Sequence, residues 1–306
     1  PYFTWVSEIM LQQTQVNTVI PFFNRFITEL PTVHDLALCD EDRLLKLWEG
    51  LGYYSRVRNM QVAAKMIVED YEGIIPTNKA ELTKLKGIGE YTAGAISSIA
   101  FDNRDFAIDG NVLRVFSRLY KLPYDVKNRV LKKEVELLLN IEMPKKRVGD
   151  FNQAIMDIGA TICMANGTPK CDVCPLKKVC LSYTDKCTTD YPHKLIKKKK
   201  KEENVQVNLL IYKDTVAITK RPSKGLLAST YQFVNDNLDI ESTNIQQLKK
   251  SIHQFTHINW TIETTVYIID KPLKDYEFVN IKEVLNLLMI PVAYKTALDY
   301  LKSISR

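Results

Sequence analysis

The stretch Leu85-Lys-Gly-Ile-Gly-Glu-Tyr-Thr-Ala-Gly-Ala joins two predicted helices through a Gly-x-Gly turn formed by Gly87 and Gly89. Such a turn, opening onto a helix N-terminus, presents backbone N–H groups at the positive end of the helix dipole, which suits one phosphate group. An ordinary helix-capping turn fits the same residues equally well, because glycines end many helices. Asp109-Gly-Asn-Val, where an acidic residue enters a later helix, favours the phosphate-binding interpretation.

The sequence around this turn has a helical period up to Cys180. Apolar residues recur there at i, i+3, i+4 and i+7 positions, which is the pattern of amphipathic helices. The clearest stretches are residues 2–10, 44–48, 60–67, 91–99, 112–119 and 130–139. We therefore predict that the first two-thirds of the chain are all-α.

The chain changes character near residue 190. Residues 191–196 and the lysine run 197–201 predict a solvated linker with a general attraction for phosphate. Beyond it, residues 205–212, 216–220 and 262–269 have strand-like composition, and residues 281–289 and 291–303 have helical patterns. The C-terminal third is therefore predicted to be α+β.

The composition is that of a protein with substantial cores. The chain has 306 residues, 45% of them hydrophobic, which is enough for two or three domains. Its net charge of +6, from 42 basic and 36 acidic residues, suits a polyanionic partner without requiring one. The sequence shows no run of about 18 apolar residues and no signal peptide, so we expect no membrane partner. Because it starts at Pro1 rather than Met, we expect a trimmed N-terminus.

Four of the six cysteines lie close together, as Cys163-x7-Cys171-x2-Cys174-x5-Cys180. Four thiolates on one short loop can enclose a soft metal centre, and the lack of a second Cys-x-x-Cys pair argues against a zinc ribbon. The spacing favours an iron–sulfur cluster over zinc, with unliganded thiols or disulfides as a third alternative. Cys39 follows an apolar run and is predicted to be buried. Four ligands with two further cysteines suit a reducing compartment.

Two acidic residues are candidates for chemistry, although each also has an ordinary explanation. Asp109 stands where an N-cap residue would begin a helix. Glu8 falls with Gln12 and Gln15 on the polar side of the first helix, which is usually a solvated face.

Five motifs in order along the chain match one family. They are Trp5-Val-Ser-Glu-Ile-Met-Leu-Gln-Gln-Thr-Gln-Val, Gly50-Leu-Gly-Tyr-Tyr-Ser-Arg, the Leu85–Ala95 stretch, Ile108-Asp-Gly-Asn-Val and Phe151-Asn-Gln-Ala-Ile-Met-Asp-Ile-Gly-Ala. With them the chain closely resembles the MutY family of adenine DNA glycosylases in the helix-hairpin-helix superfamily. The resemblance is dense up to Cys180 and looser from Val205 onward. It implies an all-α helix-hairpin-helix glycosylase fold with an iron–sulfur cluster loop, followed by an α+β Nudix/MutT-like domain.

The resemblance implies roles for four residues of the catalytic centre. Glu8 matches the general acid that protonates adenine at N7, and Asp109 matches the ionised carboxylate that stabilises the sugar cation. Tyr91 and Asn111 match residues that hold these carboxyl groups and the sugar. Two carboxyl groups in unlike environments are the expected solution for breaking a glycosidic bond.

Other matched residues would contact DNA. Gln153 matches a residue at the edge of the flipped adenine, and the target base must be flipped because a stacked base is out of reach. Gln13 and Tyr53 match the wedge beside the opposing base, and Gly87 and Gly89 match the phosphate-binding hairpin. The expected partner is duplex DNA with adenine opposite 8-oxoguanine or guanine, bound by a monomeric protein.

Tyr91 separates this interpretation from a related one. Endonuclease III-type relatives, which act on oxidised pyrimidines, carry a lysine there whose amine forms a Schiff base and permits strand cleavage. Neither Tyr91 nor Leu113 offers an amine, so we expect a monofunctional enzyme that uses water. A non-catalytic damage-binding protein is the alternative from another class.

The resemblance also divides the chain. It implies a six-helix barrel at residues 1–121, a [4Fe-4S] domain at 122–187 held by the four clustered cysteines, a basic linker at 188–203 and a MutT-like domain at 204–306. In the last, Phe255, Thr256 and His257 match a tip that reads 8-oxoguanine, with threonine in place of serine. The Glu-rich helix of Nudix hydrolases is lacking, so this domain is expected to bind the lesion without hydrolysing nucleotides.

The chain departs from the family pattern at three places. The first cysteine spacing is x7 rather than x6, Lys86 replaces a proline of the hairpin, and an Arg/Trp-containing segment would precede Pro1. The expected location is the cytoplasm, near the nucleoid, in a bacterium, or the nucleus or mitochondrion in a eukaryote.

Overall fold

The computed structural model describes residues 1–193, 200–236 and 244–305. The part before residue 190 is helical, as the period predicted. Its helices are α1 (Tyr2–Leu11), α2 (Val16–Glu29), α3 (Val33–Leu38), α4 (Glu41–Leu47), α5 (Ser55–Asp70), α6 (Lys79–Leu82), α7 (Glu90–Phe101), α8 (Gly110–Tyr120), α9 (Arg129–Glu142), α10 (Val148–Thr161) and α11 (Leu181–Thr184). Across the described ranges, no helix is long and apolar enough to cross a membrane.

Short polar side chains begin several of these helices. Asp40 accepts hydrogen bonds from two backbone N–H groups in the first turn of α4. Asn78, Asp109 and Asn128 cap α6, α8 and α9 in the same way. Each cap satisfies a backbone donor that has no partner inside the helix, and this fixes where the helix starts.

The contacts between Cα atoms divide the chain into two compact units that alternate along the sequence. The first unit comprises Pro1–Val19, Pro31–Ala37 and Asn59–Lys197, and the second comprises Ile20–Leu30, Leu38–Arg58 and Lys198–Arg306. The domain boundaries expected at residues 121 and 187 stay predictions.

The core of the first unit is formed where α8 packs on α9 and α10. Its buried residues include Val112, Val115, Phe116, Leu131, Val135, Leu139 and Ile155. A β-carbon at Gly149 would lie 2.7 Å from the Cα atom of Ile99, so glycine lets α10 approach α7 closely. Helix α1 packs on α7 in the same unit. This arrangement brings α1, the start of α7 and the start of α8 into one unit.

The second unit contains a mixed sheet. Its elements are β1 (Lys201–Tyr212), β2 (Thr215–Lys220), β3 (Tyr231–Gln232), β4 (Asn244–Gln247), β5 (Ser251–Gln254), β6 (Ile258–Ile268), β7 (Glu277–Asn280), α12 (Ile281–Asn286) and α13 (Lys295–Ile304). The strand order is β3-β2-β1-β6-β4, with β5 also paired to β6 and β7 paired to β2. Only β1 and β6 run parallel among the described strand pairs. The predicted α+β character of this part is confirmed.

Strand β1 begins earlier than its apolar pattern predicts. It pairs with β6 from Lys201 opposite Ile258 to Ile211 opposite Ile268. Pairing with β6 therefore extends the strand into charged residues, and residues 201–203 of the expected linker are strand. Residues 197–199 of the lysine run lie outside the described ranges. A turn at Lys213 and Asp214 joins β1 to β2, since Tyr212 pairs with Thr215.

One face of this sheet is covered by the C-terminal helices. The buried cluster between them includes Val207, Leu209, Ile211, Ile218, Phe233, Trp260, Val284, Tyr294 and Leu301. Alternate residues of β1 and β6 point into this cluster, which explains why strands of such polar composition still fold as a sheet.

Candidate active site and cysteine loop

Glu8 lies on α1 and is only 7% exposed, so the solvated face suggested by its polar neighbours is wrong for this residue. The hydroxyl of Tyr91, in the first turn of α7, donates a hydrogen bond of 2.6 Å to Glu8 Oε2. Burial raises the pKa of Glu8, the bond from Tyr91 opposes this rise, and the nearby charge of Asp109 adds to it. A carboxyl group in these surroundings keeps its proton to a higher pH than usual, as a general acid requires.

Asp109 is both the cap of α8 and a member of the same buried site. Its Oδ1 accepts from the backbone N–H of Val112 at 2.8 Å, and its Oδ2 accepts from Asn111 Nδ2 at 2.7 Å. Burial raises the pKa of Asp109, while these hydrogen bonds and the charge of Arg114 oppose the rise. The capping explanation for Asp109 is confirmed, and its catalytic role stays a prediction.

Tyr91 is bonded to Glu8 and lies within the electrostatic influence of Asp109. Burial raises the pKa of the Tyr91 hydroxyl, and the charges of Glu8 and Asp109 raise it further. The structure thus brings together Glu8, Tyr91 and Asp109 from three separate helices. Two carboxyl groups that influence each other across one tyrosine favour a state in which one is protonated and the other charged.

Arg114 is a buried residue of this site, and the sequence pattern did not identify it as a site residue. Its Nη2 donates to Asn111 Oδ1 and to the Gly159 carbonyl, both at 2.7 Å. Its Nε donates to the carbonyl of Cys163 at 2.8 Å. Arg114 therefore connects the side chain that holds Asp109 to the first cysteine of the loop. An arginine between apolar residues of α8 was the available signal.

The cysteine loop follows α10 and folds around a cavity. That cavity is lined by Cys163, Cys171, Cys174 and Cys180, together with Arg118, Ile162, Pro169, Lys177, Tyr183 and Thr188. Burial raises the pKa of the Cys171 and Cys174 thiols, and the neighbouring cysteines raise it further. Arg118 Nη1 lies 3.2 Å from Cys163 Sγ, where a cation stabilises a thiolate.

Two observations on these cysteines disagree about whether they form a metal site. All four sulfur-bearing side chains face one cavity, yet no group of three or more His, Cys, Asp or Glu in the described ranges is arranged to hold a metal ion. A single zinc ion needs all its sulfur ligands at about 2.3 Å. The shared cavity shows that the four cysteines lie together, and the metal centre they would hold stays a prediction. Cys39 is half-buried, and the prediction that it is buried is wrong.

The Gly-x-Gly turn has the geometry expected of a hairpin between helices. Gly87 has φ +79°, and a β-carbon there would lie 2.6 Å from Asn59 Cβ. Gly89 is the N-cap of α7. A turn that only glycine can form therefore leaves the first N–H groups of α7 at the surface.

The two residues expected to form a wedge share an unusual backbone conformation. Gln13 has φ +56° and Tyr53 has φ +50°, in the left-handed region that side chains disfavour. Such strain is often found at functional positions. Gln153 is exposed on α10, where its Nε2 donates to the Gly149 carbonyl at 3.2 Å.

Within the second unit, Tyr53 contacts the expected lesion-reading tip. The Tyr53 hydroxyl and Thr256 Oγ1 are 2.5 Å apart. Thr256 lies in the turn between β5 and β6, and the adjacent Phe255 ring packs edge-on against Trp260, with 4.9 Å between ring centroids. The contact between Tyr53 and Thr256 joins two predicted sites that are far apart in sequence.

Comparison with known proteins agrees with this geometry. Residues 6–140 match the model of the family described as HhH-GPD superfamily base excision DNA repair protein. The chain is 36% identical over 288 residues to the adenine DNA glycosylase of Buchnera aphidicola subsp. Baizongia pistaciae, covering 89% of this chain and 80% of that protein. It is 31% identical over 334 residues to the adenine DNA glycosylase of Mus musculus, covering 88% of this chain and 65% of that protein.

Solved structures share the fold of the helical part. A thermostable thymine-DNA glycosylase superposes with a TM-score of 0.54 at 26% identity, covering 60% of this chain and 85% of that chain. Endonuclease III in a non-covalent DNA complex superposes with a TM-score of 0.52 at 26% identity, covering 60% and 84%. The curated relatives match most of the chain and therefore show its family. The chain belongs to the adenine DNA glycosylases of the HhH-GPD superfamily, base excision repair enzymes that hydrolyse N-glycosyl bonds.

Proposed function

We propose that this glycosylase removes adenine mispaired with 8-oxoguanine or guanine in duplex DNA, without cutting the strand. The observation that carries the proposal is the grouping of buried Glu8 with half-buried Tyr91 and Asp109, whose charges influence one another. It supplies a proton donor and a charged carboxylate in one site, which is what removal of a base from its sugar needs.

The chemistry follows from these two groups. Glu8 donates its proton to adenine N7, so the base leaves in neutral form. Positive charge develops on the sugar at the same time, and Asp109 stabilises it, directly or through a transient covalent bond. Asn111 holds Asp109 and Tyr91 holds Glu8, and water then adds to the sugar.

Access to the base requires that the nucleotide leave the helix. Gln13 and Tyr53 enter the duplex beside the opposing base, Gln153 contacts the edge of the flipped adenine, and the Gly87–Gly89 turn binds backbone phosphate. Gln13 and Tyr53 are exposed and have left-handed backbones, a conformation often found at functional positions, which supports this role.

Discrimination of the opposing base is assigned to Phe255, Thr256 and His257. The Thr256 hydroxyl forms a hydrogen bond with features of 8-oxoguanine, N7–H or O8, that guanine lacks or presents differently. The 2.5 Å contact with Tyr53 supports the assignment, since it places the tip beside a residue of the proposed wedge.

Strand cleavage by a Schiff base is not part of the proposed activity. Tyr91 and Leu113 carry no amine at the positions where a lyase would need one. Borohydride reduction during the reaction tests this point, because it cross-links Schiff-base enzymes to DNA. Efficient trapping would favour an endonuclease III-like lyase.

The four clustered cysteines are proposed to hold a [4Fe-4S] cluster. Their common cavity and the adjacent Arg118 suit thiolate ligands around such a group. The cluster, when bound, supplies iron–thiolate bonds that fix the loop, and no redox step on the base is proposed. The loop carries Lys170, Lys177 and Lys178, which are suited to binding phosphate.

A single-turnover assay on duplexes with adenine opposite 8-oxoguanine tests the proposed activity. Release of free adenine with an intact strand is expected. Tight binding without release would instead indicate a damage-binding protein. We propose that the protein acts as a monomer wherever the cell keeps its DNA: near the nucleoid in a bacterium, or in the nucleus or mitochondrion in a eukaryote.

A further inference from the structure

Residues 200 and 201, where the linker meets β1, bind the backbone of the tip. Lys200 Nζ donates to the carbonyl of Phe255 at 2.7 Å. The backbone N–H of Lys201 donates to the carbonyl of His257 at 3.1 Å. The peptide groups that follow Phe255 and His257 are therefore both held from the start of β1.

The next two residues bind side chains of the same hairpin. Asn259 Nδ2 donates to Glu202 Oε1 at 2.7 Å, and Trp260 Nε1 donates to Glu203 Oε2 at 3.1 Å. Lys201 Nζ forms an ion pair with Glu203 at 2.7 Å. Four consecutive residues thus contact the turn between β5 and β6 or the residues beside it.

The ring of Phe255 is fixed through Trp260. Its centroid lies 4.9 Å from that of Trp260 and 4.6 Å from that of His253, both in edge-to-face geometry. Glu203 thus holds one edge of the ring against which Phe255 packs. The backbone N–H of Phe255 closes the turn by donating to the Ile258 carbonyl at 2.8 Å.

We propose that Lys200 and Glu203 are positioning residues for the reading of 8-oxoguanine. This inference rests on the proposed role of Thr256. A peptide group is planar, so the Phe255 carbonyl and the Thr256 N–H turn together as one unit. The bond from Lys200 restrains that plane, from which the Thr256 backbone continues, while the Tyr53 hydroxyl holds Thr256 Oγ1. A hydrogen bond to the lesion depends on the direction of the Thr256 hydroxyl, because its strength falls steeply with angle.

A lysine near DNA has a simpler possible role, which makes a different prediction. If Lys200 only bound phosphate, its removal would weaken binding to all duplexes equally and reduce the dependence of affinity on salt. If it positions the tip, its removal lowers the preference for 8-oxoguanine over guanine. The quantity to measure is therefore the ratio of single-turnover excision rates on the two duplexes.

The experiment compares Lys200→Met, Lys200→Arg and Lys250→Met. Lys250 provides the matched control, since it also lies beside this sheet, in an ion pair with Glu263 at 2.5 Å. We expect Lys200→Met to reduce the ratio about 2- to 10-fold, the range that one hydrogen bond accounts for. Lys200→Arg keeps a donor and is expected to retain most of the ratio, and Lys250→Met is expected to leave it unchanged. An unchanged ratio in Lys200→Met, with or without a uniform loss of binding, would overturn the proposal for Lys200.

Glu203 is tested by replacing the acceptor. Glu203→Gln keeps an oxygen for Trp260 Nε1 and is expected to preserve discrimination, whereas Glu203→Leu is expected to reduce it. If Glu203→Leu has the same ratio of excision rates as Glu203→Gln, Glu203 is not a positioning residue. Thr256→Val, measured alongside, separates the two hypotheses. If it keeps the full ratio, the proposed lesion-reading role of the tip fails, whereas a reduced ratio beside unaffected Lys200 and Glu203 variants contradicts only the positioning proposal.

Discussion

Glu8 is buried and Asp109 half-buried, and the two carboxyl groups have different hydrogen-bond partners. Glu8 accepts one bond from the Tyr91 hydroxyl, while Asp109 accepts from a backbone N–H and an amide side chain and lies in the field of Arg114. Donors of this kind stabilise a charged carboxylate more than a protonated one. We therefore expect Glu8 to be the group of the pair that keeps the proton and Asp109 to be the one that is charged.

We expect Glu8→Gln to abolish excision while leaving duplex binding nearly intact. The amide is similar in shape but cannot donate a proton to adenine, and general acid catalysis contributes about 10²–10⁴-fold. Single-turnover rates and binding to the same duplex measure both effects. Glu136→Gln, at a half-exposed position on α9 away from this site, is the matched control. Excision at the wild-type rate in Glu8→Gln would remove Glu8 from the mechanism.

Gly159 controls the position of Asn111. A β-carbon at residue 159 would lie 2.5 Å from Asn111 Cβ, so Gly159→Ala should displace the side chain that holds Asp109. A displacement of about 1 Å near a reacting centre can cost 100-fold in rate, and we expect a 10- to 100-fold fall in single-turnover excision. Ala160→Gly perturbs the same helix by about 1 kcal/mol without facing Asn111. A similar loss of rate in both variants would indicate general destabilisation instead.

The sequence indicated the catalytic candidates but not their surroundings. The residue types and order of Glu8, Tyr91 and Asp109 are enough for the resemblance to assign roles. Their burial was not predictable, because the polar neighbours of Glu8 are those of a solvated helix face. Arg114 was missed for a related reason: a single arginine on a helix usually points to solvent, and only the long-range packing of α8 on α10 encloses it.

The metal content of the cysteine loop can be measured directly. If its four thiolates hold a [4Fe-4S] cluster, the purified protein should be brown and contain about four irons per chain. Cys174→Ser should lose this iron, while Cys187→Ser should keep it, because Cys187 does not line the cavity. Metal analysis and visible absorption measure both. One equivalent of zinc in a colourless protein would contradict the assignment of a [4Fe-4S] cluster.

The sequence predicts an element boundary where local chemistry determines it. It does not predict a boundary that depends on pairing with a distant strand. The Gly87 turn was predictable, since its positive φ requires a residue without a β-carbon. The start of β1 at Lys201 was not, because charged residues there are ordered by their pairing with β6, far along the chain.

Because the two units alternate along the chain, deleting the C-terminal region does not test the role of that region alone. The segment Leu38–Arg58 is bonded to the C-terminal region through Lys46 to the Leu285 and Leu288 carbonyls and through Asp42 to Lys220. Deleting everything after Lys194 removes these partners along with Thr256. The deletion therefore changes more than one property of the protein.

We expect that deletion to leave adenine removal chemically possible, to lower the thermal stability of the remainder, and to erode the preference for 8-oxoguanine over guanine. Thr256→Val isolates the last effect, because an unsatisfied polar group costs about 1–3 kcal/mol, or roughly 5- to 150-fold in discrimination. Thr256→Ser, which keeps the hydroxyl, should preserve the preference. If the truncated protein discriminates as well as the full chain, lesion reading belongs to Gln13 and Tyr53 instead.

The alternation of the two units along the chain also has a consequence for biosynthesis. Ile20–Leu30 and Leu38–Arg58 leave the ribosome early, but the rest of their unit begins only at Lys198. At about 5–20 residues per second, they wait roughly 10–30 s for it. The sheet of the second unit cannot be completed before β6 is synthesised. During that interval Phe26 and Trp48, which are fully buried in the finished protein, are apolar surface that the cell's chaperones can bind.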